Sequence, residues 1–382
     1  MSVLFEPVKI RNLELKNRFI RSATYFALAD EDGFIHEPSF RLIKTLAKNE
    51  VGLIITGHAY VLKNGQRSPD MNGIQDDDHI PGYQKLTRAV HDDGGRIALQ
   101  IAHAGIQAQT AARTGGDYLA VSLTEDMPDF SRKPREMNEE DIKCIIDAFG
   151  QAARRVQEAG FDGVQIHGAH GYLVSQFLSP YTNRRMDKWG GSLENRMRFV
   201  IDVTRAMKKQ VDDNFPIMIK LGCQDYTEHG RGLTIEEGAR VASELEKKGI
   251  SLIEISFNMG GPSLRENLFG ITSPDREAVL LPVARVIKKS TSIPLALVTG
   301  LRSLPVMEEI IHSGVVDFIS LCRPLIREPG LIKRWKEGDT RPADCISCKG
   351  TSHISQYGCF NPDKNGKMRI YCRQLKKEVL SH

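Results

Sequence analysis

No stretch of this 382-residue chain approaches the roughly 18 consecutive apolar residues that a membrane span needs. Met1-Ser2-Val3-Leu4-Phe5-Glu6-Pro7 has no basic segment leading into an apolar one. The expected location is the cytoplasm, with no membrane partner. An excess of one charge is also lacking: 52 basic residues face 48 acidic ones, for a formal net charge of +4. So mild a balance leaves no footprint for nucleic acid. Cysteine is sparse, and the seven present are too few for a disulfide scaffold of this size. Four of them, Cys345, Cys348, Cys359 and Cys372, fall within the last 38 positions. Clustering of that kind in a reducing compartment points to metal before disulfide. Internal repeats and low-complexity linkers are missing. So is the glycine-rich loop that opens a dinucleotide-binding sheet, because Phe19-Ile20 is followed by Arg21-Ser22-Ala23-Thr24-Tyr25.

What is present is a long run of alternating elements. Short apolar runs occur at Phe19-Ile20, Val51 to Thr56, Ile97 to Ala102, Val164 to Ile166, Ile217 to Leu221, Leu252 to Ser256, Leu295 to Val298 and Phe318 to Leu321. Amphipathic segments separate them. Between Asn138 and Gly160, Ile142, Ile145, Ile146, Phe149, Ala153 and Val156 recur at helical spacing, with Asn138 as N-cap and Gly160 as terminator. Thr234 with Glu237 forms a capping box for another helix, running to Gly249. Strand then helix, eight times over, predicts an α/β chain folded as a (β/α)₈ TIM barrel over residues 1–338. The competing open sheet lacks its loop. A cysteine-bearing tail occupies residues 339–382, and the long polar connection from His103 to Asn138 is expected to cap the barrel mouth.

In such a barrel the groups that act on a ligand follow the strands. The fourth run leads into His167, His170 and Tyr172, a set able to hydrogen-bond a carbonyl or anionic oxygen and hand over a proton. Zinc ligation or simple loop stabilisation is the alternative for the two histidines. Gly300-Leu301-Arg302 and Cys322-Arg323 follow the seventh and eighth runs, the usual phosphate position of this architecture. A plain turn with solvated arginines is the bland reading there. Lys220 interrupts an apolar run, so it faces the barrel interior and wants a permanent anionic or electron-rich partner. A Schiff-base lysine is its rival role. With Gln100, these parts describe a barrel holding a large phosphorylated cofactor across its mouth, and flavin mononucleotide (FMN) suits each of them.

Longer motifs sharpen the picture. Leu15-Lys16-Asn17-Arg18, Gln100-Ile101-Ala102-His103-Ala104-Gly105, His167-Gly168-Ala169-His170-Gly171-Tyr172, Ser179-Pro180-Tyr181-Thr182-Asn183-Arg184-Arg185 and Trp189-Gly190-Gly191-Ser192-Leu193-Glu194-Asn195-Arg196 resemble the old yellow enzyme family, over residues 1 to about 340. The resemblance implies an FMN barrel that takes hydride from NADH or NADPH and passes it to a small α,β-unsaturated substrate. By that resemblance His167 and His170 hold the substrate oxygen and Tyr172 protonates the α-carbon. Cofactor contacts would fall to Ala23, Thr24, Tyr25, Gly57, Gln100, Lys220, Gly300, Leu301, Arg302, Cys322 and Arg323. A flavin amine dehydrogenase or demethylase is the second expectation, and a lysine-dependent lyase without flavin the third. A homo-oligomer is left open.

Four positions depart from the family pattern. Tyr25 stands where a Thr or Cys is usual, Lys220 where many members carry Arg, Gln107 where a bacterial branch has Lys, and Cys322 where Gly is common. The tail resembles the branch of dienoyl-CoA reductase and trimethylamine dehydrogenase, in which a cysteine motif holds an iron–sulfur cluster. The Cys345/Cys348 and Cys359/Cys372 spacings suit that, but ten residues separate Cys348 from Cys359, more than the branch uses. A cluster on an enlarged loop, a zinc site and free thiols all remain open.

Overall fold

The computed structural model describes residues 2–124, 132–227, 231–352, 355–357, 359–362, 368–372 and 374–375. All eight apolar runs become parallel strands: β1 (Phe19–Arg21), β2 (Leu53–Ile55), β3 (Ile97–Ala102), β4 (Gly163–Gly168), β5 (Ile217–Gly222), β6 (Leu252–Ser256), β7 (Leu295–Val298) and β8 (Phe318–Leu321). Each pairs with its neighbour in chain order, β8 returns to β1, and β2 pairs with β3, so the sheet closes into the barrel. A short ninth strand, Ala59–Tyr60, extends the sheet beside β3 and has no counterpart in the sequence reading.

Side chains alternate about the barrel wall, as the twofold repeat of a strand requires. Outward residues such as Ile219, Leu221, Ile253 and Ile255 join the core beneath the helices. Inward residues divide into two levels. Ile20, Leu53, Ala98, Met218, Leu252, Ala296 and Phe318 form an apolar lower level, against which Ile10 and Leu15 pack. These last two belong to an antiparallel hairpin, Val8–Ile10 with Leu13–Leu15, which therefore stoppers the N-terminal end. Above lies a polar level of Gln100, Gln165, Lys220, Glu254 and Ser320, all buried.

The helices follow their sequence signals. Asn138 and Asp141 form a capping box for the helix Glu139–Glu158, and Gly160 leaves it at φ +80°. Thr234 and Glu237 do the same for Ile235–Lys247. The predicted mouth-capping connection contains the helix Gln109–Thr114 and the strands Leu119–Ala120 and Arg135–Glu136, while part of it lies outside the described residues. Among the described residues no helix is long and apolar enough to cross a membrane.

The stopper predicts a stability effect. Leu15 is 1% exposed and fills the lower level. Leu15→Ala is expected to destabilise the fold by about 2–5 kcal/mol through lost burial and the cavity left behind. Urea unfolding measures this, and a loss under about 1 kcal/mol would show that the hairpin does not seal the barrel.

Candidate active site

The C-terminal ends of the strands open into a cavity of about 560 Å³. Its floor carries Gln100, Lys220, Ser22 and Ser320; one side carries His58, His167, His170 and Tyr172; Gly300, Leu301, Cys322 and Arg323 line the β7–β8 side. Ala23, Thr24 and Tyr25 contribute from the end of β1. The barrel thus gathers most of the predicted site residues into one space.

Strand register explains the floor. Lys220 pairs with His167 of β4 on one side and Glu254 of β6 on the other, while Gln100 pairs with Gln165. Lys220 Nζ lies 3.4 Å from Glu254 Oε2 and donates to Ser22 Oγ at 2.7 Å. Ser22 and Ser320 each donate to Glu254 Oε1 at 2.7 Å. Gln165 donates to Glu254 Oε2 at 3.0 Å and accepts from Gln100 at 2.7 Å. Burial alone would push the Glu254 carboxyl up; the Lys220 ammonium and the donors from Ser320, Ser22 and Gln165 outweigh it, leaving the group below its ordinary range. The permanent partner expected for Lys220 is therefore a protein carboxylate. This ion pair supports a cationic role for Lys220 over the free amine that a Schiff base requires.

The imidazole side is compact. Ring centroids of His167 and His170 are 5.2 Å apart, and His167 stacks on Tyr172 at 4.3 Å. The Ala169 N–H donates to His167 Nδ1 at 3.4 Å, which leaves Nε2 to carry the proton. His170 sits at φ +60° with Nε2 2.8 Å from Ser256 Oγ. Burial drives the His170 pKa down to about 3, and the Lys220 charge adds to this. His167 falls well below its ordinary value, through burial and then its histidine neighbours and Lys220. Both rings are neutral donors at physiological pH. Burial raises the Tyr172 phenol, keeping its proton on.

The β7–β8 side suits an oxyanion. Thr299 and Gly300 take φ +90° and +78°, a turn that aims successive amides outward. Among the described residues, no acceptor is found for the backbone N–H groups of Gly300, Leu301 and Cys322. With the Arg323 side chain beside them and a polar floor opposite, the cavity fits the phosphate and ring of FMN. Two predicted contacts are corrected. Arg302 does not line the cavity: its guanidinium donates to the carbonyls of Ala343 (2.7 Å) and Thr272 (2.8 Å), fastening the start of the tail to the barrel. Gly57 does not line it either. A Cβ there would meet the Thr24 carbonyl oxygen at 2.4 Å, so Gly57 serves close backbone approach. The Tyr25 hydroxyl is bound to Ser68 and Asp70, and its ring stacks on His58 at 5.4 Å.

Cys345, Cys359 and Cys372 are buried, Cys348 is half-buried, and all four are free thiols. They feel one another electrostatically, yet among the described residues no three such groups are placed to hold a metal ion. Cys359 alone of the four lines the cavity.

Three residues assigned no role from sequence belong to the site. Glu254 carried the same signal as Lys220, an ionisable group inside an apolar run. His58 follows β2 directly, with Nε2 3.2 Å from the Tyr172 hydroxyl, and burial lowers its pKa to about 3. Arg67 lies in the loop beyond and had no signal beyond its charge.

Comparison with known proteins agrees with this geometry. Residues 3–341 match the model of the NADH:flavin oxidoreductase / NADH oxidase family. An NADH oxidase of Thermoanaerobacter brockii is 34% identical over 97% of this chain and 55% of its own length. An NADPH dehydrogenase of Geobacillus sp. (strain WCH70) is 34% identical over 86% of this chain and 92% of its own. The structure of a 2-naphthoyl-CoA reductase bound to 2-naphthoyl-CoA superposes with a TM-score of 0.81 at 30% identity, covering 89% of this chain and 53% of that one. The chain thus spans about half the length of the Thermoanaerobacter and naphthoyl-CoA proteins. The match over nearly nine-tenths of the sequence places the chain in the NADH:flavin oxidoreductase / NADH oxidase family, the assignment that its old yellow enzyme motifs implied.

Proposed function

We propose that this chain is an FMN-dependent NAD(P)H oxidoreductase that reduces the C=C bond of an α,β-unsaturated carbonyl compound. The observation that carries the reading is the convergence of neutral His167, neutral His170 and protonated Tyr172 on one cavity whose floor is the Lys220–Glu254 pair. FMN, when bound, supplies hydride transfer between a nicotinamide and the alkene.

The chain's own groups supply the rest. Hydride arriving at the β-carbon drives negative charge onto the carbonyl oxygen, and N–H donors from His167 and His170 are aimed where that charge develops. Neutral imidazoles suit this role, because they donate without protonating the oxygen outright. Tyr172 delivers the proton to the α-carbon. His58, in the tautomer with its proton on Nε2, donates to the Tyr172 oxygen; the phenolic proton then turns toward the cavity and the phenolate left behind keeps a partner. Lys220 faces the cavity with its charge balanced by Glu254, so the floor is polar without being strongly cationic.

Tyr172→Phe is expected to slow reoxidation by an enone by about 10²-fold or more. Reduction by NADPH, which needs no such proton, should change only a few-fold. Stopped-flow flavin absorbance separates the halves, and equal slowing of both would overturn the role given to Tyr172. Because burial lowers the His58 and His170 pKa values to about 3 and holds His167 well below its ordinary value, the affinity for a neutral carbonyl ligand should stay flat from pH 5 to pH 8. An inflection near 6.5, the ordinary imidazole value, would contradict the neutral-donor assignment. His167→Ala should weaken phenol binding about tenfold, the loss of roughly one hydrogen bond.

A further inference from the structure

Among the described residues three cations line this cavity, and two of them are engaged by the protein. Lys220 pairs with Glu254, and Arg323 donates to the Leu268 carbonyl at 3.0 Å. Arg67 is different. Its guanidinium makes no hydrogen bond and no ion pair among the described residues, and its Nε is buried without an acceptor. The carboxylate nearest in sequence, Asp70, is engaged by the Tyr25 hydroxyl instead. Only the Arg67 backbone is held, its N–H lying 3.2 Å from Met71 Sδ. A buried guanidinium nitrogen without a partner costs free energy that a ligand oxygen can recover.

Arg67 stands on the substrate side of the cavity. Its charge acts on Tyr25, His58, His167 and Tyr172, the groups around the reacting alkene, and β3–β4 lie across the barrel from the β7–β8 turns that suit phosphate. The imidazoles there are neutral and Lys220 is paired with Glu254, so among the described residues Arg67 is the cavity-lining cation on that side whose charge no carboxylate offsets. A guanidinium presents parallel N–H donors that match both oxygens of a carboxylate.

Resting on the reading of this site as a C=C reductase, we propose that its substrate is an anion: an activated alkene whose carboxylate pairs with Arg67 while its carbonyl oxygen lies on His167 and His170. The carboxylate is unchanged in the reaction. Hydride adds at the β-carbon, the proton from Tyr172 at the α-carbon, and NAD(P)H is the electron source. The same charge opposes a cationic amine at this position, which weighs against the amine dehydrogenase alternative.

Two measurements on the holoprotein test this. In the first, anaerobically reduced protein is reoxidised with 4-oxopent-2-enoate and with its methyl ester, compared by second-order rate constant. Charge-assisted hydrogen bonds should favour the acid on the order of 10- to 100-fold. Arg67→Gln should abolish that preference and Arg67→Lys retain part of it, with flavin content and circular dichroism confirming folded holoprotein. In the second, oxidised protein is titrated with 4-hydroxybenzoate and with phenol, read by perturbation of flavin absorbance, which requires no turnover. Tighter binding of the benzoate, lost in Arg67→Gln, supports the anion site. An ester reoxidising the protein as fast as the acid, or a preference that survives Arg67→Gln, overturns the proposal. If no alkene reoxidises the protein while the benzoate preference holds and depends on Arg67, the anion site stands and the C=C reductase reading falls.

Discussion

A carboxylate with no exposure to solvent sits at the centre of this barrel, and the rest of the site is arranged around its neutralisation. Glu254 is 0% exposed. A charge so placed is tolerable only with a counter-ion and a full set of donors. Lys220, Ser22, Ser320 and Gln165 provide them from four other strands or strand ends. Removing any one would leave polar groups stranded in an apolar setting. The network therefore fixes the orientation of the side chains that form the cavity floor, Gln100 and Lys220 among them. It also explains why the upper level of the barrel can be polar at all: below it, the alternating inward positions are apolar and close-packed.

The sequence carried the architecture well, because barrel strands buried on both faces read as unbroken apolar runs, and every such run became a strand. It carried Lys220 for the same reason, since a cation in such a run has few places to go. It did not carry the partner. Which acid meets Lys220 depends on register between strands, and register is set by closure of the whole sheet. The stopper hairpin was illegible for a local reason: its tight turn, Arg11-Asn12, lacks the Asn-Gly pattern that marks two-residue turns, and Arg11 takes φ +52° without being glycine. Arg302 was placed by position alone. A long side chain after a strand can turn into the mouth or back over the surface, and here backbone carbonyls of Thr272 and Ala343 captured it.

The imidazole side of the cavity shows a division of labour between neutral and charged groups. Burial keeps His58, His167 and His170 in their neutral, singly protonated form, so hydrogen bonding there is directional and uncharged. Among the described residues, formal charge beside them comes from the compensated Lys220–Glu254 pair below and from Arg67. Tyr25, where the family commonly has a smaller polar residue, is drawn off by Ser68 and Asp70. Its ring stays in the cavity wall, stacked on His58 at 5.4 Å.

Because Ile10 and Leu15 cork one end of the cylinder, every molecule that reaches the floor must come and go through the opposite rim. On the proposed reading, a nicotinamide and an alkene would share that doorway and could not pass each other inside. Turnover in such a vessel would then be a matter of taking turns, with the electrons waiting in the room between visitors.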